Sequence, residues 1–142
     1  MKLIHCADIH LDSPMQTHMT AQQASVRNTE MLQSFVRLTE FAQERAVRAV
    51  LIAGDLFDGA RVRARTVDAL LAAIRRTPEV DYLYLPGNHD EAANAFCDCA
   101  LPGNLKLFGK TWSTVQYDGI AISGVQIGAD AAFYESLPHT DG

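Results

Sequence analysis

Three short stretches place side chains capable of chemistry directly after apolar runs. Leu3 to Ala7 leads into Asp8-Ile9-His10, and Ala49 to Ala53 leads into Gly54-Asp55-Leu56-Phe57-Asp58. Tyr82 to Leu85 leads through Pro86-Gly87 into Asn88-His89-Asp90. Each apolar run has the length and composition of a buried strand, and the third stops at a Pro-Gly breaker. Carboxylate, imidazole and amide groups bind cations or move protons, and crowding them onto turns at strand ends serves no packing purpose. A lone Asp-x-His or Gly-Asp is ordinary turn chemistry. Three such groups at equivalent places imply one site built from three loops.

Positioning them falls to the periodic segments between. A helix is expected from about Ser25, where Met31, Phe35, Leu38 and Ala42 recur at helical spacing. Leu32, Val36 and Phe41 widen its apolar stripe, and Glu30, Arg37, Glu40 and Glu44 point outward. Asp8 to about Ala24, which carries Pro14, is expected to be a loop over the site. A second helix is expected over Arg63 to Arg76, with Val67, Leu70, Leu71 and Ile74 on one face and Thr77-Pro78 ending it. Strand, helix and strand with a long crossover imply a right-handed parallel βαβ unit. Parallel strands put their C-terminal ends on one sheet edge, where open α/β sheets bind ligands. Asp8, His10, Asp55, Asp58, Asn88 and His89 are thereby gathered in one place.

Past Asp90 the character changes. Glu91 to Ala100 is alanine-rich and expected as a short helix. Leu105 to Phe108, Trp112 to Tyr117 and Ile120 to Ser123 read as strands, with Asp118-Gly119 as a hairpin turn between the last two. The expected fold class is α/β: βαβαβ followed by an antiparallel run. Tyr134 to Gly142 reads as a loop with no closing element, so a break in mid-architecture is expected.

With 142 residues, 48% of them hydrophobic, the chain can form one core. Its formal charge of −5 is opposite in sign to the usual nucleic-acid-binding surface, although two bound divalent cations would nearly cancel it. Cys6, Cys97 and Cys99 lack zinc-finger spacing and are expected as reduced thiols. The N-terminal apolar run is too short for a signal-peptide core, and no 18-residue apolar stretch follows. No membrane contact and a cytoplasmic location are expected.

The chemistry of the gathered residues can be narrowed. Carboxylate, imidazole and amide ligands without thiolate suit Mn²⁺, Fe or Zn²⁺ better than an all-oxygen Mg²⁺ or Ca²⁺ site. Two metals about 3.5–4 Å apart can share one carboxylate, activate a water and clamp both oxygens of an in-line phosphoryl displacement. Asp55 is the natural bridge, because its loop lies between the other two in the expected layout. The other polar residues carry plainer expectations. His5 is a satisfied core or neighbouring group, His18 is solvated, and His139, which follows Leu137-Pro138 rather than a strand, is not a ligand. Asp12 and Ser13 line the site rim or cap a turn. Arg61, Arg63 and Arg65 read as a solvated helix start more readily than as phosphate contacts.

Asp8-x-His10, Gly54-Asp55-x-x-Asp58 and Gly87-Asn88-His89-Asp90 resemble the first three motifs of the calcineurin-like metallophosphoesterases. Ile4-His5-Cys6-Ala7-Asp8-Ile9-His10-Leu11 and Gly54-Asp55-Leu56-Phe57-Asp58 are most similar to the SbcD-type DNA repair exonucleases, including the YhaO-like branch. The resemblance implies an αββα sandwich of which residues 1–142 are the N-terminal part. It implies that Asp8 and His10 bind one metal, Asp55 bridges two, and Asn88 binds the second. His89 would stabilise the transition state or protonate the leaving oxygen, with Asp58 orienting its imidazole and Asp90 anchoring the turn. The family's later lone His and its terminal Gly-His-x-His are not found here. The 142-residue chain alone is accordingly expected to bind metal weakly and show little activity.

Three function classes follow. The first is a metal-dependent nuclease of DNA repair, using two divalent ions (Mn²⁺ foremost), with DNA as substrate and an SMC-like ATPase as partner. The second is a small-molecule phosphatase or nucleotide phosphodiesterase with the same metal chemistry. The third is a binding module that keeps the fold without catalysis.

Overall fold

The computed structural model describes residues 1–14, 18–58, 62–87, 96 and 99–126. Its elements are β1 (Leu3–Cys6), α1 (Ala21–Glu44), β2 (Ala49–Ala53), α2 (Ala64–Arg75), β3 (Asp81–Leu85), β4 (Leu105–Leu107), β5 (Ser113–Tyr117) and β6 (Ile120–Gly124). β1, β2, β3 and β4 form one sheet in that order, every pair parallel, with Leu3 opposite Ala49, Ala49 opposite Asp81 and Tyr82 opposite Leu105. β5 and β6 form a separate antiparallel pair.

Strand alternation sorts the core into two faces. Val50, Ile52, Tyr82 and Tyr84 pack with Phe35 and Ala42 of α1 and with Val67, Leu70, Leu71 and Ile74 of α2. Ala49 and Leu83 point the other way, onto Phe108 and Tyr117 of the second layer. Covered on both faces, β3 is buried from Asp81 through Tyr84. All four apolar residues expected on the inner face of α2 are buried there.

Several expectations shift. α1 starts at Ala21, four residues ahead of the expected start, because Thr20 and Gln23 form a capping box: the Thr20 hydroxyl accepts from the Gln23 backbone at 3.3 Å and the Gln23 side chain accepts from Thr20 N at 2.8 Å. Phe41 is 47% exposed, with the Arg45 guanidinium over its ring at 5.3 Å, and Thr39 takes the buried position instead. The Thr39 hydroxyl tolerates burial by donating to Val36 O at 2.7 Å. His5 is exposed, since β1 is an edge strand among the described residues and the face carrying Leu3 and His5 is open. β4 adds a fourth parallel strand, so the antiparallel run is confined to β5 and β6. Asn104 sets its entry: Nδ2 lies 3.0 Å from the carbonyls of Ile74, Thr77 and Val80, and its own carbonyl accepts from Tyr82 N at 2.7 Å.

Tyr117 pairs with Ile120 across a two-residue turn in which Gly119 alone is left-handed, at φ +74°. The Tyr117 hydroxyl donates to Asp81 Oδ2 at 2.8 Å, which fastens the hairpin to the start of β3. The expected helix over Glu91 to Ala100 falls largely outside the described residues, and the expected loop over Tyr134 to Gly142 falls wholly outside them.

Candidate metal centre

Asp8, His10 and Asp55 each offer a ligand atom, and these atoms all lie within 4.8 Å of one another. They sit beyond the C-terminal ends of β1 and β2, at the edge where the parallel topology places them.

The backbone there is unusual. Asp8, His10, Asp12 and Asp55 are all left-handed, with φ of 53°, 51°, 61° and 47°. Aspartate and histidine tolerate this region better than most residues, yet each still costs on the order of 1 kcal/mol. A ladder between the two loops offsets that cost. His10 N donates to Asp55 O at 2.9 Å, Leu11 N to Leu56 O at 2.8 Å, and Asp58 N to Leu11 O at 3.2 Å. Leu11 and Phe57 form a parallel bridge, and Leu11, Leu56 and Phe57 are all buried. Gly54 N donates to Leu85 O at 2.8 Å, which ties the second loop to β3. Apolar side chains between the candidate ligands thus point into the core and hold the polar ones at the sheet edge.

Gly87 fits against this arrangement without room to spare. A Cβ on it would overlap Asp55 Oδ1 and stand 2.8 Å from the Asp55 backbone nitrogen. Only glycine lets the end of β3 come this close. Asn88, His89 and Asp90 lie outside the described residues, as do Arg61, Cys97 and His139. Downstream, Phe96 packs edge-on against Phe57 at 5.7 Å and Tyr84 at 6.2 Å.

Two contacts around the site join residues far apart in the chain. Asp12, whose side chain is 4% exposed, accepts from Arg63 N at 2.7 Å and Arg63 Nε at 2.9 Å, with a further guanidinium nitrogen at 2.8 Å. Arg63 is the exposed N-cap of α2, the solvated helix start that was expected, and it also clamps the first candidate loop to the beginning of that helix. The Ser13 hydroxyl donates to Asp58 Oδ2 at 2.6 Å, and Asn28 Nδ2 donates to Ser13 O at 3.0 Å. Asp58 stands beside His10, its Oδ2 3.7 Å from His10 Nδ1, while His10 Nε2 lies 3.8 Å from Asp8 Oδ1. His18 and Arg65 are exposed.

The electrostatics suit a cation. Asp55 Oδ1 is shielded from solvent and accepts no hydrogen bond among the described residues. A buried acceptor left so costs about 1–3 kcal/mol. No lysine or arginine pairs with Asp8 or Asp55 among the described residues, although both loops hold arginine-paired or hydroxyl-paired carboxylates nearby. A divalent ion would supply the missing partner, and two carboxylates with an imidazole are a fitting donor set for it. The Cys6 thiol is no competitor: burial pushes its pKa up, and it donates to Leu51 O at 3.5 Å. Cys6 and Cys99 are both free thiols.

Residues 1–136 match the family model described as calcineurin-like phosphoesterase. Over 95 residues the chain is 30% identical to the DNA double-strand break repair protein Mre11 of Methanopyrus kandleri, an alignment covering 63% of this chain and 19% of that protein.

Proposed function

The chain belongs to the calcineurin-like phosphoesterase family, and from that premise we propose that it is a metal-dependent phosphodiesterase acting on DNA. The observation carrying this reading is the Asp8, His10 and Asp55 cluster with its buried Asp55 Oδ1, which has no hydrogen-bond partner among the described residues. In this reading Asp8, His10, Asp55 and Asn88 hold two divalent ions, with Mn²⁺ preferred over Fe or Zn²⁺ and Asp55 shared between them. Such ions, once bound, supply an activated water and neutralise charge on the phosphoryl oxygens.

The chain's own residues do the rest. Asp8, with its side chain 74% exposed, presents the open side of the centre to an incoming phosphodiester. The ladder through Leu11 and Phe57 fixes the spacing of the ligands before substrate arrives, which lowers the reorganisation needed during reaction. His89 acts on the leaving oxygen, as acid or as transition-state stabiliser. DNA as substrate is supported by the likeness to Mre11 and by the Gly54-Asp55-Leu56-Phe57-Asp58 motif. An SMC-like ATPase partner and a cytoplasmic location belong to the same reading. No helix among the described residues is long and apolar enough to cross a membrane.

The test compares, in the full-length protein with Mn²⁺, cleavage of linear duplex DNA and hydrolysis of an aryl phosphomonoester, each with an Asp55→Ala control. DNA cleavage lost in the control is the expected result. Monoester turnover without DNA cleavage would move the protein to the phosphatase class, and silence on both would favour a binding module. His89→Ala is expected to leave Mn²⁺ affinity nearly intact while lowering turnover by about 10²–10⁴-fold.

A further inference from the structure

We propose that Ser13 is a positioning residue for His10, acting through the Asp58 carboxylate; this rests on the reading of His10 as a metal ligand. The two nitrogens of His10 face different surroundings. Nε2 faces Asp8 across 3.8 Å, on the side of the ligand cluster. Nδ1 is shielded from solvent and makes no hydrogen bond among the described residues, with Asp58 Oδ2 3.7 Å away. An imidazole that binds a cation through Nε2 must carry its proton on Nδ1, and metal-binding histidines almost always donate that proton to an oxygen. Asp58 is placed to receive it.

The separation is too long for a hydrogen bond as it stands. Contacts of this kind tighten when a site is loaded, and a ring movement of under about 1 Å closes this one. What keeps the carboxylate in place for that closure is Ser13. Its hydroxyl donates to the same Oδ2 at 2.6 Å, and its carbonyl is held by Asn28 of α1 at 3.0 Å. The Asp58 backbone is fixed independently, through its bond to Leu11 O. The side-chain rotamer is therefore the remaining freedom, and the serine hydroxyl removes it. Ser13 lies three residues from His10 in sequence, so one loop supplies both the ligand and the group that steadies the ligand's partner.

The experiment measures Mn²⁺ affinity of the full-length protein, as wild type and as Ser13→Ala, Ser13→Thr, Asp58→Ala and the Ser13→Ala/Asp58→Ala double variant. Ser13→Ala is expected to weaken binding about tenfold, Ser13→Thr to stay within about twofold of wild type, and Asp58→Ala to weaken it at least as much as Ser13→Ala. The double variant should bind no more weakly than Asp58→Ala alone, because the serine acts through the carboxylate. Nitrogen NMR of the metal-free protein, with the imidazole neutral, gives a second readout. His10 should be the Nδ1–H tautomer in wild type and a mixture in Ser13→Ala. Wild-type affinity and tautomer in Ser13→Ala, or additive losses in the double variant, would overturn the proposal. If the wild type bound no Mn²⁺, both this role and the metal centre would fall; tight wild-type binding untouched by Ser13→Ala removes the Ser13 role alone.

Discussion

β3 begins at one carboxylate and ends beside another, and the two live under opposite conditions. At its start, Asp81 is buried, accepts from the Tyr117 hydroxyl at 2.8 Å, and has Arg48 and Lys106 nitrogens at 3.4 and 3.5 Å. Those two cations also stand over the Tyr117 ring, at 5.0 and 6.0 Å from its centroid. Beyond its far end, Asp55 has a shielded oxygen with no partner among the described residues and a left-handed backbone. The first carboxylate is fully compensated by its own chain, and it joins two layers. The second is held in position by its chain and left uncompensated among the described residues, which is the condition that the metal-ligand role proposed for Asp55 requires. Burial alone does not separate the two roles; the state of the partner shell does.

The largest expected effects come from the uncompensated end. Asp55→Ala should lower metal-dependent hydrolysis by about 10³-fold or more, the equivalent of several kcal/mol of transition-state stabilisation. Asp55→Asn keeps a side chain at home in the left-handed region, so the metal-free protein should unfold at the same temperature as wild type or higher. A clear loss of metal-free stability in Asp55→Asn would mean that Asp55 is structural, and the contrast with Asp81 would collapse. At the compensated end the pattern reverses. Asp81→Ala should cost about 2 kcal/mol in urea unfolding, since it removes a charged acceptor from a buried hydroxyl, and should leave Mn²⁺ affinity as it was.

The smallest effect is a pH dependence. Burial, followed by the hydrogen bond to Asp81 and its charge, pushes the Tyr117 phenol above its ordinary pKa, with Arg48 pulling the other way. A raised pKa means that the folded state favours the neutral phenol. Its contribution is complete below the unfolded value, about 10, and is lost as pH rises through the higher folded value. Urea midpoints should therefore fall at alkaline pH, and Tyr117→Phe should flatten that fall. An alkaline limb of equal slope in Tyr117→Phe would place the titrating group elsewhere.

Much of this was legible in the sequence where local pattern and structure agree. β2 occupies Ala49 to Ala53 as the apolar run indicates, and Val67, Leu70, Leu71 and Ile74 form the buried face of α2. The convergence of Asp8, His10 and Asp55 followed from parallel topology alone. The Thr20-x-x-Gln23 pattern was also available, and it marks the true start of α1. Other features had no local signal. The strand over Leu105 to Leu107 does not encode whether it pairs parallel or antiparallel, and that direction is set by Asn104 reaching back to the end of α2. The pairing of Asp12 with Arg63 joins residues 51 apart, so no sequence window contains both. Phe41 carried the right hydropathy and the wrong angle on the helix, because the buried stripe runs through Thr39.

The bridge between Leu11 and Phe57 has a consequence for how the molecule opens. Loops that carry binding residues usually belong to the least protected part of a protein and fluctuate independently of its core. Here the amides of His10, Leu11 and Asp58 are bonded across the two loops as though β1 and β2 had been lengthened past their ends. Their protons can exchange with solvent only when that extended pairing separates, and separation exposes Leu11, Leu56 and Phe57 together. The loops are therefore expected to share the cooperative opening unit of the sheet, and their amide exchange should keep time with that of β1 and β2.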